Sequence, residues 1–523
     1  MKTRCTFLSA AVIFIASLFL FSLSFSAEKV QPTGPYDSLR EYIAALEARG
    51  RLLRIKEMDQ DKYEATAFVY RMLDQLGIER SPGILIEKVK INGEWMEGPV
   101  LGNIYCGWDT AAMAYGVKKI TDDQGEMYRA AVDRIASLAD KDTVRWKKLE
   151  PVVVDKSKAP CKEVILKGED VDLYKFPWFK NNPGDVAQYI NTGAVIMVDP
   201  ELGRNVGTYR CQVKGKNKIG VNPEISQHGW RFMMRAKKRG ERVMQAAVVI
   251  GVDPITWAMS SSKLADLGED ELALAGGFRD KPVEVVKCET SDLYVPAHAE
   301  IVIEGEMPME QEDEGPYGEM FGYMGKEHKN FYMNVKAITH RRNPWVINSF
   351  TGITKPTHMV PWQVSSYLKL QKLLPNLVEL YSPREAIGLT ILSINKRLPG
   401  DGMAAGQLAA AARFLGTSKI IVVVNKDVDI TNITQVLHAM ATRWQPHPAS
   451  LIIPQTWGIP LDPSAPKMFL TSKIIIDATR QLPSEGGPKS WAPVSRVLLE
   501  KKSPESFKLV DEKWPEYWKN WNK

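Results

Sequence analysis

The segment EGPYGEM, residues 314 to 320, places Glu314 and Glu319 five positions apart with Gly315, Pro316 and Gly318 between them. Proline supplies no backbone donor and glycine weakens a helix, so the two acids belong to a turn rather than to one helical face. Upstream, NVGTYR brings Asn205 and Arg210 close together, ISQHGW contains Gln227 and His228, and VVKCETSDL contains Glu289. An arginine bonded to one carboxylate keeps that group ionised, whereas a second carboxyl group in an apolar pocket has its pKa raised and can hold a proton near neutral pH. Arg210 with Glu314 and Glu319 could therefore supply an anion-positioning pair and a proton donor. Solvated glutamates on a surface turn fit the same pattern. Asn205, His228 and Glu289 would offer a carbonyl oxygen, an imidazole and a carboxylate, a mixed set better suited to Mn²⁺ or Mg²⁺ sharing a phosphate than to structural zinc. The alternative is an ordinary hydrogen-bonding histidine, one of seven in the chain.

These groups need a scaffold. YDSLREYIAALEARGRLLRI predicts a helix capped by Asp37 or Ser38, and helical stretches alternating with short apolar runs such as GILIEKV predict an N-terminal α/β domain over 36–150. From 151 to 350, EVILKG, TGAVIMVDP, NVGTYRCQVKGKNKIGV, QAAVVIGVDP, PVEVVKCE, AEIVIEGEM, YMNVKAITHR and WVINSF are β-branched runs bounded by Gly, Pro, Asn and Asp. They predict a strand-rich barrel or sandwich, interrupted by helices near HGWRFMMRAKKRGE and GEDELALAGGF. VPWQVSSYLKLQKLL predicts a linking helix within 351–376. Over 377–523 strands and helices alternate again, which predicts a C-terminal α/β domain with a parallel or mixed sheet. The fold class is mixed α/β. In the closing DEKWPEYWKNWNK, Trp514, Trp518 and Trp521 share one helical face, a docking surface against the chain's own core or a sister subunit.

At 523 residues the chain can fill several cores. Its 68 basic and 62 acidic side chains leave a formal charge of only +6, without a dominant basic run, so nucleic acid is not an expected partner. At the start, Lys2 and Arg4 precede an uncharged apolar run, and Ser24 and Ser26 suit cleavage before Ala27. Residues 1–26 thus read as a signal peptide for export to the periplasm, or as an N-terminal membrane anchor if uncleaved. Beyond Cys5 in that leader, Cys106, Cys161, Cys211 and Cys288 are widely spaced with no CxxC pair, so a disulfide framework or zinc site is not expected.

NVGTYR, GVDP, KCETSDLYVPAHAEIVIEGEMP and EGPYGEMFGY, in this order and spacing, resemble the UbiD family of decarboxylases, which use prenylated flavin mononucleotide (prenylated FMN). The likeness runs from about residue 36 to the C-terminus and includes DSLREYIAALEARGRLLRI and ITQVLHAMATRW.

The resemblance implies a central split β-barrel that binds the flavin, between an N-terminal and a C-terminal α/β domain, in a homo-oligomer. It implies Mn²⁺ or Mg²⁺ held by Asn205, His228 and Glu289 and bridging to the flavin phosphate, with K⁺ near the WAMSSS segment, Trp257 to Ser262. Cofactor contacts would come from Asn205, Val206, Gly207, Thr208, Tyr209, Arg210, Gln227, His228 and Glu289. Arg210, Glu314 and Glu319 match the family's catalytic network, in which Arg210 positions, Glu314 holds Arg210 and Glu319 donates a proton. The implied reaction is reversible, non-oxidative decarboxylation of an aromatic or α,β-unsaturated acid through a covalent flavin adduct. Gln227, Met320 and the TGITKPTHMVPW segment would contact substrate, and a flavin prenyltransferase would supply the cofactor. Two rival readings are an exported, non-catalytic flavin or metal carrier and an oxidoreductase using ordinary FMN. One departure stands out: where many relatives place a lysine within reach of the cofactor phosphate, this chain has Gly402 or Met403.

Overall fold

Ser38 sets the entry into the first helix, Leu39–Ala48, by accepting a 3.3 Å hydrogen bond from the Glu41 backbone N–H. That satisfies one of the helix's free donors, and Leu39, Tyr42, Ile43 and Leu46 turn inward at helical spacing. The computed structural model describes residues 32–519, so the leader over 1–26 and Trp521 lie outside the described residues. Leu52–Asp59 pairs in parallel with Gly83–Ile91, which pairs antiparallel with Glu94–Gly102. Asn92 and Gly93, both at positive φ, form the turn between the latter two, as a tight hairpin demands.

The central strands form one ten-stranded antiparallel sheet. Its path runs Tyr189–Ile190, Cys211–Gly215, Lys218–Val221, His328–His340, Ile301–Pro308, Val243–Ile250, Ala194–Asp199 and Gly203–Thr208. Val164–Lys167 and Glu312–Glu314 also pair with the long strand His328–His340. Along Val243–Ile250, Val248 and Ile250 pack into one core while Ala247 and Val249 pack into another. Burial on both faces explains why this strand reads as a continuous apolar run rather than an alternating one. Each fully buried Val or Ile contributes about 1.5–3 kcal/mol.

Two runs expected in this sheet lie elsewhere. Val346–Asn348 crosses to the N-terminal sheet and pairs in parallel with Val100–Gly102. Glu284–Lys287 joins a separate three-stranded sheet with Val152–Val153 and Tyr294–Pro296. Strand propensity was legible there, but the partner depends on long-range packing.

The helix Val360–Leu373 bridges two cores: Val360 and Val364 pack centrally, whereas Leu370 belongs to the C-terminal cluster. The C-terminal sheet runs Leu377–Tyr381, Leu389–Ile394, Ile420–Asn425, Leu470–Asp477 and Ser450–Trp457, with three inner parallel strands and antiparallel edges. The closing helices Ser495–Lys502 and Pro504–Tyr517 bury none of their residues. Trp514 and Trp518 touch each other, with ring centroids 5.3 Å apart, and both are exposed. Among the described residues, no helix is long and apolar enough to cross a membrane, and four cysteines are buried and free.

Candidate active site

Arg210 lies in the break between Gly203–Thr208 and Cys211–Gly215, and both glutamates of the turn reach it. Its Nε and Nη2 donate to the two oxygens of Glu314, each at 2.9 Å, while Nη1 donates to Glu319 Oε1 at 2.5 Å. The guanidinium carbon sits 4.9 Å from the centroid of the Tyr317 ring. A planar fork fits a carboxylate with two parallel bonds, which fixes Arg210 in orientation as well as position.

The turn is pinned from several sides. Gly318 N–H donates to Asp185 Oδ1 at 2.8 Å, and Glu319 N–H donates to the Tyr323 carbonyl at 2.8 Å. A Cβ on Gly318 would stand 2.3 Å from Asn182 Nδ2, so a larger residue there would displace that side chain. Glu314 ends a short strand directly opposite His328, whose Nε2 lies 3.2 Å from Glu314 Oε2; Asn222 Nδ2 donates to the same oxygen at 3.2 Å.

The two acids consequently diverge. Burial alone would raise Glu314, but hydrogen bonds from His328 and Arg210 and their positive charge hold its pKa at about 2. Burial of Glu319 outweighs the charge and hydrogen bond of Arg210, helped by the negative charges of Glu224 and Glu314, and its pKa moves up. The 2.5 Å contact favours ionisation, yet that arginine is already neutralised by Glu314, so the upward direction stands.

The hydrogen bond to Glu314 raises the pKa of His328 above 6.5. A raised pKa means that this stabilisation is complete below about 6.5, the unfolded value, and fades as pH rises through the folded value. The melting-temperature gap between wild type and His328→Gln is expected to be larger at pH 6 than at pH 8.5. The ring is 40% exposed, so solvent screening keeps the gap small. An equal gap at both pH values would contradict a charged pair.

This network forms part of the wall of a cleft of about 700 Å³. Residues 205–210, Gln227, His228, Glu319 and Met320 line it, joined by much of the 351–362 segment. Gln227 Oε1 is occupied by the Glu224 N–H at 2.7 Å, and the Met320 carbonyl accepts from Lys355 Nζ at 3.1 Å. His358, tilted against Trp257 with ring centroids 4.6 Å apart, is held neutral by burial, its pKa lowered to about 4.

At another part of the cleft, Asn205 Oδ1 is buried without a hydrogen bond, an orphaned acceptor. His228 opens the helix His228–Lys238, and its Nδ1 lies 3.9 Å from Oε1 of Glu271. Glu271 opens the helix Glu271–Arg279 and is buried, its Oε2 accepting from the Val206 N–H at 2.7 Å. A free amide oxygen, an imidazole nitrogen and a carboxylate oxygen fit Mn²⁺ or Mg²⁺.

The carboxylate in this set is Glu271, not the expected Glu289. Glu289 does not line the cleft; its carboxylate pairs with Lys156 at 2.7 Å, Lys167 at 2.9 Å and Lys162 at 3.6 Å. Burial opposes its ionisation, but bonds from Lys156 and Lys167 bring its pKa to about 2. With its charge neutralised there, Glu289 takes no part in the Asn205–His228 arrangement.

Trp257, Ser260 and Ser261 of the WAMSSS segment line the cleft, and Ser260 Oγ lies 2.9 Å from Thr208 Oγ1. Neither Gly402 nor Met403 lines it. Lys396 is tied to Glu485 at 2.7 Å and Thr479 at 3.0 Å, and does not line it either. Sequence reasoning missed Glu271, Asn222 and His328. For Glu271 a signal existed, since an acid opening the apolar, small-residue run ELALAGG must be buried with a partner.

Three packed regions enclose a cleft in which one arginine is shared by two divergent acids, and comparison with known proteins identifies the class to which this arrangement belongs. Models of the N-terminal, Rift-related and C-terminal domains of 3-octaprenyl-4-hydroxybenzoate carboxy-lyase match residues 43–128, 152–354 and 360–478, and the chain belongs to this UbiD family. It is 30% identical over 505 residues to a phenolic acid decarboxylase of Sedimentibacter hydroxybenzoicus, covering 93% of this chain and 99% of the relative. The open form of vanillic acid decarboxylase from the same organism superposes with a TM-score of 0.75 at 27% identity, covering 91% of this chain and 100% of that one. The UbiD-class enzyme HmfF of Pelotomaculum thermopropionicum in complex with FMN gives 0.73 at 29% identity, covering 90% and 100%. An evolved dimeric form of HmfF in complex with prFMN gives 0.71 at 27% identity, covering 90% and 100%.

Proposed function

We propose that this carboxy-lyase catalyses reversible, non-oxidative decarboxylation of an aromatic or α,β-unsaturated carboxylic acid with prenylated FMN, Arg210 positioning the substrate carboxylate and Glu319 donating the proton. The observation that carries the reading is Arg210, bound through two nitrogens to Glu314 and through the third to Glu319, with burial raising the pKa of Glu319 while Arg210 and His328 lower that of Glu314. FMN and prFMN complexes among the structural relatives support the cofactor. Phenolic and vanillic acid decarboxylases support an aromatic substrate.

When bound, prenylated FMN supplies an electron sink for the charge that departing CO₂ would leave on carbon. The chain's own residues do the rest. Glu314 neutralises and aims Arg210, which attracts the substrate carboxylate into the cleft and holds it in a defined orientation. Glu319 Oε1 accepts from Arg210, which leaves Oε2 to carry the proton and deliver it to the carbon that bore the carboxylate. Trp257, His358 and Met320 give the cleft apolar surface from which substrate displaces water. Asn205, His228 and Glu271 would hold Mn²⁺ or Mg²⁺ at the flavin phosphate, and the Trp257–Ser262 segment would hold K⁺. The same proposal includes a homo-oligomer, a flavin prenyltransferase as cofactor source, and export or anchoring through residues 1–26. Its test is CO₂ release from aromatic acids by the full chain loaded with prenylated FMN.

A further inference from the structure

The cations lining the cleft are nearly all committed to partners. Arg210 is held by Glu314 and Glu319, and Lys355 Nζ donates to the carbonyls of Met320 at 3.1 Å and Gly352 at 2.9 Å. Arg384 is fixed through Nη1 by the carbonyls of Cys106 at 2.8 Å and Lys355 at 2.7 Å, with its guanidinium carbon 5.2 Å from the centroid of Trp108. Lys263 differs. It lines the same cleft and its side chain is exposed to it, yet among the described residues no hydrogen bond or ion pair takes its ammonium.

Its backbone is also unusual. Lys263 follows the helix Pro254–Ser261 in the left-handed region at φ 52°, a conformation uncommon for a residue with a side chain. Such a conformation persists only where its surroundings impose it, and it frequently marks a binding site. The same helix end is tied to the cofactor strand by the 2.9 Å contact of Ser260 Oγ with Thr208 Oγ1. Ser260, three residues before Lys263, thus meets the strand that carries Asn205, and Asn205, Thr208, Ser260 and Lys263 all line the same cleft.

We propose that Lys263 contacts the phosphate of the flavin cofactor, supplying a positive charge from the central domain. The inference rests on the flavin reading above. A lysine suits this task as a point charge on a flexible stem that follows a dianion without demanding forked geometry.

The test is titration of the flavin-free full chain, in Mn²⁺, with FMN and separately with riboflavin, which has the same ring system but no phosphate. Lys263→Met is expected to weaken FMN binding about tenfold, the loss of one charge-assisted contact, and to leave riboflavin binding unchanged. Lys263→Arg should recover most of the FMN affinity. Unchanged FMN affinity in Lys263→Met overturns the proposal, as does an equal loss for riboflavin, which would make Lys263 a packing residue. A preference of Arg384→Met, rather than Lys263→Met, for losing FMN alone also overturns it. Failure of the wild-type chain to bind either flavin contradicts the flavin reading itself, and so separates the two failures.

Discussion

Glu319→Gln is expected to reduce turnover of a decarboxylated substrate by about a hundredfold to ten-thousandfold while leaving flavin and divalent-metal content per chain unchanged. Glutamine has the shape of the acid, and its amide oxygen can still accept from Arg210, which now bonds Glu319 Oε1 at 2.5 Å. Position is therefore kept and only the transferable proton is removed. Glu319 is also the group whose pKa burial raises, so the wild-type rate should fall as pH rises through its value, and this limb should vanish in the variant. Full activity in Glu319→Gln would remove Glu319 from the proton-donor role. Loss of flavin along with activity would instead indicate that the turn had collapsed.

The second large effect concerns which carboxylate holds the metal. Glu271→Gln is expected to weaken Mn²⁺ binding on the order of a hundredfold or more, because loss of even an outer-shell partner costs about 10- to 100-fold. Glutamine retains an oxygen for the Val206 N–H that Glu271 now receives at 2.7 Å, so the loss reports on charge rather than on an unsatisfied backbone group. Glu289→Gln, in the same metal titration, is expected to bind Mn²⁺ as wild type does. Glu289 lies among Lys156, Lys162 and Lys167, so its loss should appear in thermal stability. The reverse ranking in metal affinity would restore Glu289 as the ligand.

The contrast between these two glutamates shows where sequence reasoning reaches and where it stops. Glu314 and Glu319 were legible because Gly315, Pro316 and Gly318 restrict the local backbone so strongly that a turn follows from the residues themselves. The helices at His228–Lys238, Glu271–Arg279 and Val360–Leu373, and the mixed C-terminal sheet, were legible from periodicity and alternation. Glu289 misled because the charges that neutralise it come from residues more than a hundred positions earlier, where no local pattern reports them. His328 and Asn222 were hidden for a similar reason. Each meets Glu314 across about 14 to 92 residues through strand pairing or a loop, and neither carries a distinctive neighbour in sequence. Val346–Asn348 reads as a strand on propensity alone, but only the packed chain determines that it extends the N-terminal sheet.

The proposed function requires the cleft containing Arg210 and Glu319 to decarboxylate an aromatic or unsaturated acid with prenylated FMN. The most direct test is to produce the full chain together with a flavin prenyltransferase, verify the bound flavin by mass, and incubate the protein with carboxyl-¹³C-labelled phenolic and cinnamic acids in heavy water. Release of ¹³CO₂ is expected, with one deuterium placed on the carbon that carried the carboxyl group, and near-complete loss of both signals in Glu319→Gln. A protein that retains prenylated FMN yet releases no ¹³CO₂ from any of these acids, and catalyses no carboxylation of the corresponding products in excess bicarbonate, would contradict it.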